Sequence, residues 1–246
     1  MNRRDFLKYA AIVGSGLLLP ETAFANNIIF AGNLYFRSLS QEVTLEQMRD
    51  VFSRTLYNFY KIGIGFNDAE MVDDFKSLSG LDLCVVLYDS EVEMEKPLEE
   101  KNNGYYNADP EIIRHEIDIP YEDQTLRENC CFVFPNVVKP DQSPNTFTRN
   151  LTSAVCHEIG HGYGATHVYD NRKFESNRTA RYIMATRRYG KEFDPLNQER
   201  MRSLILDVNT NGFDRSRINR KRNESNQRDI FLDEITAQES SLSGLH

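Results

Sequence analysis

The chain has no tryptophan and holds only five histidines and four cysteines among its 246 residues. Each scarcity excludes something. No two cysteines stand in Cys-x-x-Cys spacing, which argues against a cysteine-based zinc site. Five histidines are too few for a metal scavenger with a histidine-rich surface. Positive charge is in deficit, with 29 Lys+Arg against 37 Asp+Glu and a net charge of -8, so nucleic acid and anionic membranes are not expected as main partners. Beyond the N-terminal segment no apolar run approaches the ~20 residues a spanning helix needs, so no stable membrane span is expected. What is present is 40% hydrophobic residues, enough for one globular domain of ordinary size, and no internal repeat.

The N-terminal segment reads as an address. Asn2-Arg3-Arg4-Asp5-Phe6-Leu7-Lys8 resembles the twin-arginine (Tat) export motif, a short apolar stretch over residues 9–19 follows, and Ala23-Phe24-Ala25 is the small-x-small pattern of a cleavage site. Residues 1–25 are therefore expected to be a Tat signal peptide, cut before Asn26, and the mature protein to be periplasmic or secreted. In an oxidising destination Cys84, Cys130, Cys131 and Cys156 have two open readings, one or two disulfides or buried free thiols, and the sequence does not choose a pairing. Cys130 and Cys131 would face opposite sides of a strand and are not expected to pair with each other.

Apolar patterning predicts strands over 28–37, 62–66, 81–88, 111–119 and 130–138, the fourth an edge strand, with loops at 102–104 and 120–129. Thr44-Leu45-Glu46-Gln47 is a capping box, and Met48, Val51, Phe52, Leu56 and Phe59 continue it at helical spacing to about residue 61. Ser143-Pro144-Asn145-Thr146 opens a helix of about 17 residues, whose Leu151, Val155 and Ile159 step along one buried face. Asp194-Pro195 starts another helix, to about residue 206. These divide the chain into the signal at 1–25, one folded domain at 26–213, and a polar tail at 214–246 that is expected to be mobile.

Residues 157–167 read His-Glu-Ile-Gly-His-Gly-Tyr-Gly-Ala-Thr-His. Four residues apart on a helix, His157 and His161 lie one turn apart on one face, where both can reach one zinc ion. Glu158 is too far around the helix to be a good third ligand and falls where a general base acting on a zinc-activated water belongs. Gly164 ends the helix and permits a sharp turn that returns His167 as the third ligand. Three neutral imidazoles leave a position open for water, which marks a catalytic zinc site rather than a structural one. By contrast His115-Glu116 starts like the motif but has Ile119 where the second histidine is needed, and reads as an ordinary strand residue.

The pattern H-E-x-x-H-x-x-G-x-x-H resembles the metzincin clan of zinc metallopeptidases, in which a methionine turn lies beneath the metal. Tyr182-Ile183-Met184-Ala185 fits that turn, with Met184 under the imidazoles. The resemblance implies an α+β, zincin-like fold: an upper lobe to about Gly164, with a mixed twisted sheet and the long active-site helix, and a small, mainly helical lower lobe. It also implies a metalloendopeptidase acting on proteins or peptides, with substrate extended along an edge strand, for which residues 111–119 are the candidate. No family within the clan is assigned. Astacins and serralysins place a tyrosine two residues after the methionine, where this chain has Thr186, and matrixins have a much shorter segment between the third histidine and the methionine. A catalytically silent zinc-binding module on the same fold is the rival reading; such modules usually lose the glutamate, which is present here. Residues 186–189 could line a specificity pocket.

Asp207-Val208-Asn209-Thr210-Asn211-Gly212 matches the first half of a calcium loop, which makes Asp207, Asn209 and Asn211 weak calcium candidates. Ile218 stands where the bidentate glutamate is required, so the second half fails. Ile230, Phe231, Leu232 and Ile235 leave open a short amphipathic helix docking on the body in place of a solvated tail.

Overall fold

The structure is a computed structural model that describes residues 28–74, 76–97, 101–106, 129–138, 143–170, 179–185, 189–226 and 229–243. The export segment, the expected strand at 111–119 and residues 186–188 of the expected pocket lie outside the described residues.

The strand expected over 28–37 is two strands, β1 (Ile29–Ala31) and β2 (Leu34–Ser38), in different sheets. The break has a local cause. Gly32 lies against the backbone of Leu81, where a Cβ would sit 2.4 Å from the carbonyl carbon. Next to it the Asn33 N–H donates to the Asp82 carboxylate at 2.7 Å. The capping box forms as expected, with Thr44 and Gln47 exchanging side-chain and backbone bonds at the head of α1 (Leu45–Lys61). Then follow β3 (Ile64–Phe66), β4 (Ala69–Met71), β5 (Leu83–Leu87), a short α2 (Glu91–Glu95), β6 (Gly104–Tyr106) and β7 (Cys130–Val133). The predicted loop at 102–104 thus runs into a strand at Gly104. The predicted strand over 130–138 stops early because Pro135, lacking an N–H and fixed in φ, opens a helical turn, α3 (Pro135–Val138).

The main sheet has the order β4-β2-β5-β7-β6, parallel except for β6, which runs antiparallel to β7. The expectation was an α+β fold with a mixed sheet, and a mixed sheet with helices is what forms. Central β5 is buried at every position, which is why it reads as the unbroken apolar run LCVVL. A separate parallel pair joins β1 and β3.

The helix α1 and the long α4 (Pro144–Gly162) cover one face of the sheet, with Phe36, Phe59, Leu83, Val85, Leu151, Val155 and Ile159 in their core. On the other face Cys84, Val86, Cys130, Phe132 and Phe134 form a smaller cluster. The two-residue period of a strand accordingly sends Cys131 to the helix side and Cys130 to the other. All four cysteines are buried free thiols.

After β8 (Val168–Tyr169) comes α5 (Pro195–Asn211), longer than the expected helix to 206. The stretch from 214, read as a mobile tail, instead folds as α6 (Arg215–Asn226), β9 (Ile230–Phe231) and α7 (Leu232–Ser243). Few apolar residues do this, but Ile218, Ile230 and Ile235 are fully buried and Leu232 is 5% exposed. At about 2–3 kcal/mol per buried aliphatic side chain, four such anchors outweigh a polar average composition. No described helix is long and apolar enough to cross a membrane.

Candidate metal centre

The site is built on the last two turns of α4. Ser143 caps its start, accepting the Thr146 N–H at 3.4 Å, with Pro144 at the first helical position. At its end Gly164, with φ 87°, turns the chain in a Schellman arrangement: Gly164 N–H donates to the His161 carbonyl at 3.0 Å and Ala165 N–H to Gly160 at 2.8 Å. Two residues later His167 faces back toward the helix. Asn197, fully buried on α5, holds this return by both backbone groups of Thr166, accepting its N–H at 2.8 Å and donating to its carbonyl at 2.9 Å. Asp194 caps α5 and accepts from both the backbone and the side chain of Asn197, at 2.9 and 2.7 Å. Substituting Asn197→Ala would strand two buried backbone groups, and at roughly 1–3 kcal/mol each should lower unfolding free energy by several kcal/mol in urea titration. A loss below about 1 kcal/mol would mean water replaces the amide.

The three histidines meet at their Nε2 atoms, which are 3.1 Å apart for His157–His161 and 3.2 Å for each of the other two pairs. These are not hydrogen bonds among the first two. His157 Nδ1 lies 2.8 Å from the Ile183 carbonyl and His161 Nδ1 2.9 Å from that of Ala165. A carbonyl only accepts, so both Nδ1 atoms carry the hydrogen and both Nε2 atoms present bare lone pairs to each other. A cation held between them would accept both lone pairs. Three nitrogens on one face of a tetrahedron at about 2.0–2.1 Å from zinc would be separated by about 3.3–3.4 Å, so the spacing fits. Among the described residues this is the one group of three or more His, Cys, Asp or Glu side chains arranged to hold an ion.

Burial keeps the rings neutral. It pushes His157 down to about 3, with His167 adding to the effect, and pushes His161 well below and His167 below the ordinary histidine range. Glu158, 6% exposed, is pushed up to about 8 by burial, against a hydrogen bond from the Tyr106 backbone. Linkage gives the metal-free protein a stability optimum. From about pH 3 to about 6.5 the unfolded chain binds protons that the folded rings refuse, so stability rises with pH and is fully present above that window. Glu158 works oppositely: from about pH 4.5 to about 8 the folded form keeps a proton the unfolded form releases, so its contribution is lost as pH rises. Asp194, raised by burial, acts in the same sense from the acid end. Three rings outweigh these carboxyls below about pH 6.5, and above it Glu158 stands alone. Melting temperature in excess chelator should therefore peak near pH 6.5; a steady rise to pH 8 would contradict it.

Met184 is fully buried beneath α4, where a Cβ added at Gly160 would come within 2.8 Å of its sulfur. Its carbonyl accepts the Val168 N–H at 2.9 Å, joining the turn to the strand after His167. The calcium candidates fare differently. Asp207, Asn209 and Asn211 lie on the last turns of α5 rather than on a loop. The Asp207 carboxylate meets Lys221 at 2.9 Å and Arg217 at 3.4 Å, and takes the Asn211 amide at 2.8 Å. Asn209 turns away to the Phe30 carbonyl, so the three do not converge as a calcium loop. Tyr189, the one described residue of the expected pocket segment, packs half-buried against the core.

Several contributors had no motif to announce them. Asn197 is one, and the Ile183 carbonyl another. Gly104, on β6, lies beneath Glu158, where a Cβ would come 3.0 Å from its Cγ and 3.1 Å from its Oε1. Tyr169 places its hydroxyl 3.3 Å from His167 Nδ1.

No protein-family model and no curated protein sequence matches the chain. Among solved structures the fold is similar to that of archaemetzincin from Methanopyrus kandleri, at 10% identity and a TM-score of 0.44, over 75% of this chain and 99% of that one, a likeness too loose to carry function.

Proposed function

We propose that this chain is a zinc-dependent metalloendopeptidase of metzincin type, exported by the twin-arginine route, with His157, His161 and His167 as ligands and Glu158 as general base. One observation carries the reading. Two histidine Nε2 lone pairs face each other at 3.1 Å with a third imidazole nitrogen 3.2 Å from both, an arrangement suited to a cation, and a buried carboxyl stands one residue from the first. Zinc held there would polarise a scissile carbonyl and lower the pKa of a water in the remaining position. Glu158 takes a proton from the attacking water and delivers it to the leaving amine. The Tyr106 N–H donates to its carboxylate and steadies it. Met184 and the Ile183 carbonyl below α4 support the methionine-turn assignment and the division into two lobes about the cleft.

The substrate chain is assigned to β6, the antiparallel edge of the main sheet among the described residues, beside Glu158, where main-chain pairing would hold it extended. The expected edge at residues 111–119 lies outside the described residues. Purified protein incubated with casein or a peptide library should cleave internal bonds, stop on addition of a chelator, and recover with zinc. Cleavage that survives the chelator with the metal demonstrably gone would remove the proposal.

A further inference from the structure

Among the described residues after 228 none belongs to the histidine cluster, yet they touch two of its supports. Strand β9 pairs in parallel with β8, matching Ile230 to Val168 and Phe231 to Tyr169, and the Ile230 N–H donates to the carbonyl of His167 itself at 3.0 Å. Tyr169 is thereby set with its hydroxyl 3.3 Å from His167 Nδ1, its ring between His167, at 6.0 Å between centroids, and Phe231, at 6.4 Å. On α7, Glu239 accepts from Arg181 at 2.6 Å and from the Tyr182 hydroxyl at 3.3 Å. These residues lead into the turn whose Ile183 carbonyl orients His157. Magnitudes rank the contacts. The Arg181–Glu239 pair is about half exposed on both sides and contributes at most about 1 kcal/mol. Ile230 and Ile235 are fully buried, and Leu232 nearly so, which seats the strand firmly against β8.

We propose that residues 229–243 are a clamp on the metal shell, with Tyr169 and Ile230 as positioning residues that hold His167 at the separation the other two imidazoles require. The inference rests on those imidazoles being a zinc site. His157 and His161 are one rigid helix turn, whereas His167 lies outside the helix, immediately before the two-residue strand β8 that β9 pairs with. Partners that orient a ligating imidazole are worth about 10- to 100-fold in metal affinity. Because coupling is reciprocal, zinc should in turn tighten the clamp.

The test uses the full chain and reads metal rather than turnover. Zinc dissociation constants are measured by competition with a chromogenic chelator for wild type, Tyr169→Phe, which removes only the hydroxyl, and Ile230→Pro, which removes the N–H that His167 accepts. Cobalt substitution reports the shell by visible absorption, and amide hydrogen exchange over residues 229–243 is followed with and without zinc. Both variants should bind zinc at least about ten-fold more weakly, with an altered cobalt spectrum and unchanged far-UV circular dichroism, and zinc should slow exchange at 230–232 in the wild type. Should Ile230→Pro fail to fold, Tyr169→Phe decides alone. Wild-type zinc affinity in Tyr169→Phe, or exchange in the segment indifferent to zinc, overturns the clamp while leaving the peptidase proposal intact. A wild type that takes up no zinc overturns both.

Discussion

Glu158→Gln is expected to bind zinc as the wild type does and to lose about 10²- to 10⁴-fold in kcat/KM on any peptide the wild type cleaves, the range a positioned general base supplies. The amide keeps the size of the side chain and its place beside Gly104, where space is too tight for another methyl group. It can still accept the Tyr106 N–H. What it lacks is a proton acceptor strong enough to activate water. In the metal-free protein, relieving a buried carboxyl also makes the variant at least as stable as the wild type near pH 8, where burial makes ionising Glu158 costly. A stable, zinc-loaded variant that cleaves at the wild-type rate would assign the base elsewhere. A catalytically silent metal module would show no activity for either protein to lose.

The second large effect is on stability. Zinc in thousand-fold excess over its dissociation constant adds about 4 kcal/mol to folding. In a protein of this size each kcal/mol moves Tm by roughly 2–4 °C, so chelation should lower Tm by roughly 8–16 °C, reversibly on adding zinc back. His161→Ala should abolish that response along with cleavage, because it removes one of the three Nε2 atoms that meet within 3.1–3.2 Å of one another. The free energy comes from ending the confrontation of lone pairs that the Ile183 and Ala165 carbonyls impose. A melting temperature indifferent to zinc and chelator in the wild type would show that the cluster holds no ion.

How far the fold and site were legible depends on whether the cause was local. The caps at Thr44, Ser143 and Asp194 were read correctly because a cap is a contact between residues three apart. Gly164 was legible for the same reason, since few other residues accept a φ of 87°. The break at Gly32 was not, because the backbone that demands a glycine there belongs to Leu81, distant in the chain. Neither was the folding of the stretch after 213. Its composition is polar, and the four buried aliphatic residues that hold it count only when something waits to bury them. The calcium half-motif shows the converse failure. Helix α5 carries straight through 207–211, and Lys221 and Arg217 from the next helix take up the charge that a cation would have needed.

By itself the sequence determined the chemistry available: three imidazoles, one glutamate and one glycine at spacings dictated by helix periodicity, which operates over a few residues and is written in order along the chain. Only the tertiary structure decided whether those groups converge. That depended on Asn197 gripping Thr166, on the Ile183 carbonyl fixing a tautomer, and on Ile230 seating the strand behind His167. Each is a contact between residues remote in sequence. A hydrogen bond reads the distance between atoms in space, and no spacing along the chain encodes it.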